Sequence, residues 1–338
     1  MTRQQHSRPN SGAEIDGRRI DLLLNRTLSI LVTTLATPMF GAERSSKQHD
    51  GSLPTGSVLC LLPLFCSQYE RITAELNSSR FRLELGILSA TAWDISTECP
   101  QGQLHLPDAE MLDAIEAMYK PGKGNCKFCE PKTSRINAIK LWYLGLVQYD
   151  MIFYMDLDID VARVVPSQVL NSVLTFHRLP VAIAAAADWA SPINTGIMLF
   201  RPSATRYRQM LKLLKTGIFD GSTFNGTGFG RVGRPKQLLS GPLPSNYMST
   251  RMFTHDSWDT VSGDSDQGFF TWYALLDGAS QMRTMKVNHF WAADKPFRCR
   301  RWVRAANSSL SSNSSCFPIL DHWLRNSNDV CKHHRQYI

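Results

Sequence analysis

"YDMIFYMDLDIDV", residues 149–161, is the stretch on which the fold turns. A run of apolar and aromatic residues leads into Asp156, Asp158 and Asp160 at every second position. A continuous apolar run of this length reads as a strand covered on both faces, the kind found in parallel sheets. Side chains two apart on a strand share a face, so the three aspartates fall on one side and Leu157 and Ile159 on the other. In open α/β sheets ligands sit beyond the carboxyl ends of the strands, where oxygen donors suit Mg²⁺ or Mn²⁺. The other reading of these residues is a solvated strand end whose aspartates cap the following turn.

Working outward, more apolar runs are punctuated by helical patterns. The sequence predicts strands over 29–36 (SILVTTLA), 57–65 (SVLCLLPLF), 90–95 (ATAWDI), 150–156, 180–187 (PVAIAAAA) and 196–201 (GIMLFR). Helices are expected over 108–120, opened by Pro107 and Asp108, and over 203–217, opened by Ser203. Such alternation predicts an α/β fold with a mainly parallel central sheet and helices on both faces. The expected layout is an unstructured polar arm over 1–26, one domain over 27–305 and a Ser-rich tail over 306–338. A Gly-, Pro- and Ser-rich loop or insertion is expected over about 217–265. "GFGRVG" at 228–233 fits a dinucleotide fingerprint, but neither a strand before it nor a helix after it supports that reading.

At 338 residues and 43% hydrophobic content the chain can bury a substantial core. Its net charge of +8 permits an anionic ligand, yet the basic residues are scattered, which argues against nucleic acid as a partner. No transmembrane span is expected, because Asp21, Asn25 and Arg26 interrupt the best stretch, Ile20 to Ala42. With no signal peptide evident the default expectation is cytoplasmic, while sequons at Asn25, Asn77, Asn225, Asn307 and Asn313 leave a Golgi or secretory lumen open. Eight cysteines are too sparse for a disulfide scaffold, and the Cys126/Cys129 pair lacks a second pair to complete a zinc set.

Four blocks carry a wider resemblance: "KLWYLGLVQYDMIFYMDLDIDV" from Lys140, "INTGIMLFRPS" from Ile193, "SDQGFF" from Ser265 and "HFWAADKPF" from His289. In this order they resemble the core of the glycogenin and galactinol synthase family of retaining glycosyltransferases, family 8. "LVTTLATPMFGA", with Thr34, resembles that family's first, nucleotide-facing strand; the tyrosine-containing turn and helix usual after it are hard to find between Ala42 and Gly56.

The resemblance implies a Rossmann-like domain of the glycosyltransferase A type. It implies a hexosyltransferase moving a sugar from a UDP-sugar to a carbohydrate, lipid, polyol or protein acceptor with retention, aided by Mn²⁺, with Mg²⁺ the second choice. Asp156, Asp158 and His289 match the metal ligands, with Asp156 also placed toward ribose; Asp160 has no acidic counterpart in the usual pattern and reads as a support to the ligands or a cap of the loop. Lys140 and Lys295 match cationic positions that hold the diphosphate. Asn194 and Gly196 match the sugar-recognition block, although "INTG" also reads as a turn before a strand. Asp266 and Gln267 match the pair beside the anomeric carbon: the first positions the sugar and stabilises charge, and the second lies on the face opposite the leaving group.

Two other classes share parts of this pattern. Phosphatases of the haloacid-dehalogenase type place DxD after an apolar strand, but near the start of the fold, whereas here a long segment precedes it. A catalytically silent protein could keep the fold, but the intact set of matching residues argues against that.

Overall fold

The computed structural model describes residues 27–36, 60–76, 81–96, 98–118, 137–157, 159, 166–178, 182–186, 194–216, 266, 269–270, 280–281, 286–289 and 334–337. The arm, the loop at 217–265, Cys126, Cys129 and all five sequon asparagines lie outside the described residues.

Strand β1 (Leu28–Leu35) is the hub. It pairs in parallel with β2 (Phe81–Leu88) on one side and with β4 (Met151–Met155) on the other. β3 (Gln103–His105) extends the sheet beyond β2 in parallel. Past β4 comes β6 (Asn194–Phe200), antiparallel to β4, then β5 (Ile183–Ala186), antiparallel to β6, and β7 (Ser280–Gln281), parallel to β5. The order is β3-β2-β1-β4-β6-β5-β7, and a separate antiparallel pair joins β8 (Lys286–His289) to β9 (His334–Tyr337). The fold class is the one expected: α/β, with a mainly parallel central sheet and helices on both faces.

Alternation along the strands sorts the core into two halves. Leu28, Ile30 and Val32 of β1, Met151, Phe153 and Met155 of β4, and Ile197 and Leu199 of β6 face α1 (Leu62–Leu76) and α3 (Pro166–Arg178). Leu31, Ile152, Tyr154, Met198 and Phe200 face α2 (Ala109–Met118), the 3-10 helix Ile139–Gly145 and α4 (Ala204–Thr216). With both faces covered, every residue of β4 and β6 is buried, which is why these strands carry unbroken apolar runs.

Two expected helices start where their caps predict. Asp108 Oδ1 accepts from Met111 N at 2.8 Å at the start of α2, and Ser203 Oγ accepts from Arg206 N at 3.4 Å at the start of α4. Asp108 also receives Tyr207 Oη at 2.9 Å and Trp142 Nε1 at 3.3 Å, so one carboxylate ties α2 to α4 and to the 3-10 helix.

Two expected strands are corrected. The run at 57–65 does not form a strand where it is described; it opens α1, with Pro63 in the first turn, a position that tolerates proline. Burial at Leu62, Phe65, Cys66, Tyr69, Ile72 and Leu76 follows helical spacing that only the continuation of the run reveals. Residues 90–95 are irregular, and the strand lies just ahead at Phe81–Leu88. There the charged Arg82 and Glu84 break the apolar pattern. They pair with each other at 3.1 Å, and Glu84 accepts from Tyr149 Oη at 2.8 Å. The loop after β2 is fastened to α1 by a disulfide between Cys66 and Cys99.

Candidate active site

β4 ends at Met155, and the next residue, Asp156, is held against the neighbouring strand by a bond from its N–H to Gly196 O at 2.7 Å. Because β6 runs antiparallel to β4, its first residues, Asn194 to Gly196, lie at the carboxyl end of β4. Asp156 shares its face with Tyr154, two residues back, and this is the face covered by the 3-10 helix.

From that helix Lys140 reaches down into the core. Its side chain is only 2% exposed. Nζ lies 3.1 Å from Asp156 Oδ1 and 3.4 Å from Asp266 Oδ2, donates to Thr195 O at 3.3 Å, and sits 4.8 Å from the centre of the Tyr154 ring. An ammonium has three N–H donors, and here they meet three oxygens. Burial alone would lower the Lys140 pKa, but the carboxylates of Asp156 and Asp266 outweigh it and hold the value above that of an ordinary lysine. Lys140 is therefore a cation enclosed between two carboxylates, with its donors turned inward.

Those carboxylates differ in exposure. The Asp266 side chain is 5% exposed and Asp156 28%. The Asp266 Oδ2 contact is at the long edge of hydrogen bonding, so that oxygen is held by charge more than by a well-formed bond. Phe269 and Phe270, one turn along from Asp266, are fully buried, and Phe270 packs 5.6 Å from the Phe200 ring of β6. This packing anchors Asp266 to the same core half as Lys140.

Tyr154 Oη donates to Asp156 Oδ1, the oxygen that also faces Lys140. The buried Tyr154 ring lies 5.6 Å from that of Tyr143, whose hydroxyl is 2.9 Å from Thr33 Oγ1. Burial first, and the Asp156 charge next, push the Tyr154 phenol well above its ordinary pKa, so it stays a donor at neutral pH.

Asp156, Lys140, Asp266, Asn194 and Gly196 thus come together at one sheet end. Asn194 is the first residue of β6, and its Oδ1 accepts from Gly196 N at 2.8 Å, so the amide oxygen shapes the strand entrance. Thr34 lies at the same end on the opposite face, since neighbouring Thr33 points to Tyr143. The Thr34 hydroxyl is buried and has no hydrogen-bond partner among the described residues. Asp158, Asp160, Gln267 and Lys295 lie outside the described residues. For His289, at the end of β8 opposite His334, only the backbone is described. Among the described residues no group of three or more His, Cys, Asp or Glu side chains gathers as a metal cluster, and no described helix is long and apolar enough to cross a membrane.

Tyr154 and the Thr195 carbonyl were not anticipated from sequence. The two-residue spacing from Tyr154 to Asp156 carried the signal for the first; nothing local signalled the second.

No family model matches the chain, and no curated protein matches it. Among solved structures, mouse xyloside xylosyltransferase 1 in its apo form is similar at 12% identity and a TM-score of 0.39, over 74% of this chain and 82% of that one. A putative nucleotide-diphospho-sugar transferase from Desulfovibrio desulfuricans G20 is similar at 12% identity and a TM-score of 0.27, over 51% and 63%. The glycosyltransferase GlyE of Streptococcus pneumoniae TIGR4 is similar at 11% identity and a TM-score of 0.30, over 89% and 64%. The chain spans just under two thirds of the last two. Scores of this size carry no chemistry across to this chain.

Proposed function

We propose that the protein is a retaining hexosyltransferase that moves a sugar from a UDP-sugar to an acceptor hydroxyl, and that the buried Lys140 holds the two acidic halves of its site in register. The observation that carries this is the Asp156–Lys140–Asp266 constellation at the carboxyl end of β4, where ligands of open α/β sheets sit. A transferase of this kind needs fixed charge at both ends of the bond that breaks, the diphosphate end and the sugar end. One enclosed cation that pairs with a carboxylate of each end sets their separation before the donor arrives.

At the diphosphate end, Asp156 has a partly exposed carboxylate engaged through Oδ1 alone among the described residues, a donor that fits a hard divalent cation. Asp156, with Asp158 and His289, would hold Mn²⁺ or Mg²⁺, which when bound supplies a Lewis acid to the diphosphate oxygens. Lys295 contributes a charge-assisted donor to the same phosphates. With its three donors turned inward, Lys140 serves the carboxylates.

At the sugar end, Asp266 is held by Lys140 and the buried Phe269 and Phe270, a rigid carboxylate suited to positioning the sugar and stabilising positive charge at the anomeric carbon. Gln267 is assigned the face opposite the leaving group, where its amide would meet the sugar. Asn194 and Gly196, joined by the Gly196 N–H to Asn194 Oδ1 bond, are assigned to the sugar, the missing side chain at Gly196 favouring close approach of a hydroxyl to the backbone. The buried Thr34 hydroxyl, without a hydrogen-bond partner among the described residues, supports a polar ligand at the end of β1, where the nucleoside is assigned. We read the Cys66–Cys99 disulfide, together with the five sequons, as the mark of a chain that matures in an oxidising lumen.

Calorimetric titration of UDP in the presence of Mn²⁺ and again in EDTA tests the reading. Binding that needs the cation is expected; equal affinity in EDTA removes the cation from it.

A further inference from the structure

We propose that Tyr154 is a positioning residue that fixes the Asp156 carboxylate, so that Oδ1 is spent inside the protein and Oδ2 is presented to the divalent cation of a nucleotide diphosphate. This rests on the nucleotide-sugar reading above and deepens it by assigning a residue that the DxD pattern does not include.

Two donors converge on one oxygen. The Tyr154 hydroxyl donates to Asp156 Oδ1, and Lys140 Nζ reaches the same atom from the 3-10 helix at 3.1 Å. Tyr154 itself has no freedom to withdraw. Its ring is fully buried, lies 5.6 Å from that of Tyr143 and carries the Lys140 ammonium 4.8 Å from its centre. Lys140 in turn is fixed by Asp266 and the Thr195 carbonyl.

The consequence follows from carboxylate geometry. The terminal torsion of an aspartate is broad and two-fold, so a carboxylate at a strand end ordinarily samples many orientations. Two donors on Oδ1 remove that freedom. Because the side chain retains 28% exposure and Oδ2 has no partner among the described residues, the oxygen left over is the one available to a ligand. Supporting groups of this kind typically change metal affinity by about 10- to 100-fold.

A tyrosine that merely fills the core would give a different result, and Tyr143 supplies the control. It is equally buried, belongs to the same aromatic cluster and directs its hydroxyl to Thr33 of β1 at 2.9 Å, where Tyr154 directs its own to Asp156. Tyr154→Phe and Tyr143→Phe each delete one buried hydroxyl and keep the ring. Tyr154→Met is a second variant lacking the same hydroxyl, used if the phenylalanine does not fold.

The experiment measures Mn²⁺ binding by the full chain in saturating UDP, from the electron paramagnetic resonance signal of free Mn²⁺, with thermal melting in the absence of metal recorded for every variant. Tyr154→Phe should weaken Mn²⁺ binding by about tenfold, whereas Tyr143→Phe should leave it within about twofold even where melting falls equally. In an Asp156→Asn background, adding Tyr154→Phe should give no further loss, because the group it orients is gone. Unchanged Mn²⁺ affinity in Tyr154→Phe overturns the assignment, as does a loss that Tyr143→Phe shares in proportion to melting. If the wild type binds no Mn²⁺ with UDP, the nucleotide-sugar reading fails and takes the assignment with it; wild-type binding with an unaffected Tyr154 variant overturns the assignment alone.

Discussion

Replacing Lys140 with methionine isolates the charge at the centre of the site, because methionine keeps an unbranched, flexible side chain and fills most of the same space. The cost then comes from the carboxylates left behind. Asp156 is 28% exposed and water can take over part of its solvation, so its share is small. Asp266 is 5% exposed, with a buried Oδ2 that has little besides Lys140 to face it. Breaking one partner out of a buried pair typically costs about 3–5 kcal/mol, against less than about 1.5 kcal/mol for a volume-conserving exchange. We therefore expect Lys140→Met to lower unfolding free energy by about 3–5 kcal/mol at pH 7, dominated by Asp266. Adding Asp266→Asn should recover more than half of that, since the stranded charge is then removed. The fold raises the Lys140 pKa, so the stabilisation is complete below the ordinary lysine value of about 10.4 and is lost only as pH rises through the folded value. Between pH 7 and pH 9 the gap between wild type and variant should stay constant. The assay is urea unfolding followed by far-ultraviolet circular dichroism. A loss below about 1 kcal/mol, the size of a surface ion pair, would refute the enclosure of Lys140 between the carboxylates.

Asp266→Asn should reduce turnover far more than donor affinity, because Asp266 is assigned to the sugar's reacting end; equal losses in kcat and in donor Kd contradict that. Opening the Cys66–Cys99 disulfide, which closes a 33-residue separation, should cost about 3–4 kcal/mol, read as a lower Tm in Cys66→Ala/Cys99→Ala and in reductant; an unchanged Tm refutes a stabilising role. Asp108→Ala should cost about 1–2 kcal/mol through loss of the α2 cap, with Asp108→Asn retaining most of it, measured by chemical denaturation; equal losses in both would show that the negative charge matters and the cap geometry does not.

What the sequence made legible followed from burial on both faces. β1, β4 and β6 carry apolar runs because helices cover each side, and their positions and the strand-end location of Asp156 could be read directly. β2 could not, because Arg82 and Glu84 satisfy each other and Tyr149 within the fold, a compensation invisible without the partner. The run at 57–65 misled for the opposite reason: apolar residues without a visible period fit a buried helix as well as a strand, and only burial from Leu62 to Leu76 shows the helical spacing. At the site, residue types and spacing pointed to Asp156, and the family resemblance to Asp266, while the inward turn of Lys140 depends on a contact between segments far apart in the chain. Spacing placed Tyr154 on the face of Asp156, yet its tie to that carboxylate depends on Lys140 and Tyr143 packing around its ring.

Incubating the full chain with a panel of UDP-hexoses and Mn²⁺, with and without candidate acceptors, tests the transfer of a sugar from a UDP donor. UDP release, the transferred sugar and its anomeric configuration are recorded beside hydrolysis of a generic phosphate monoester. UDP release from at least one donor is expected, with an anomer of unchanged configuration in the product and loss of both in Asp156→Asn. Monoester hydrolysis faster than UDP release from every donor would contradict it and assign the carboxylates after β4 to a phosphatase.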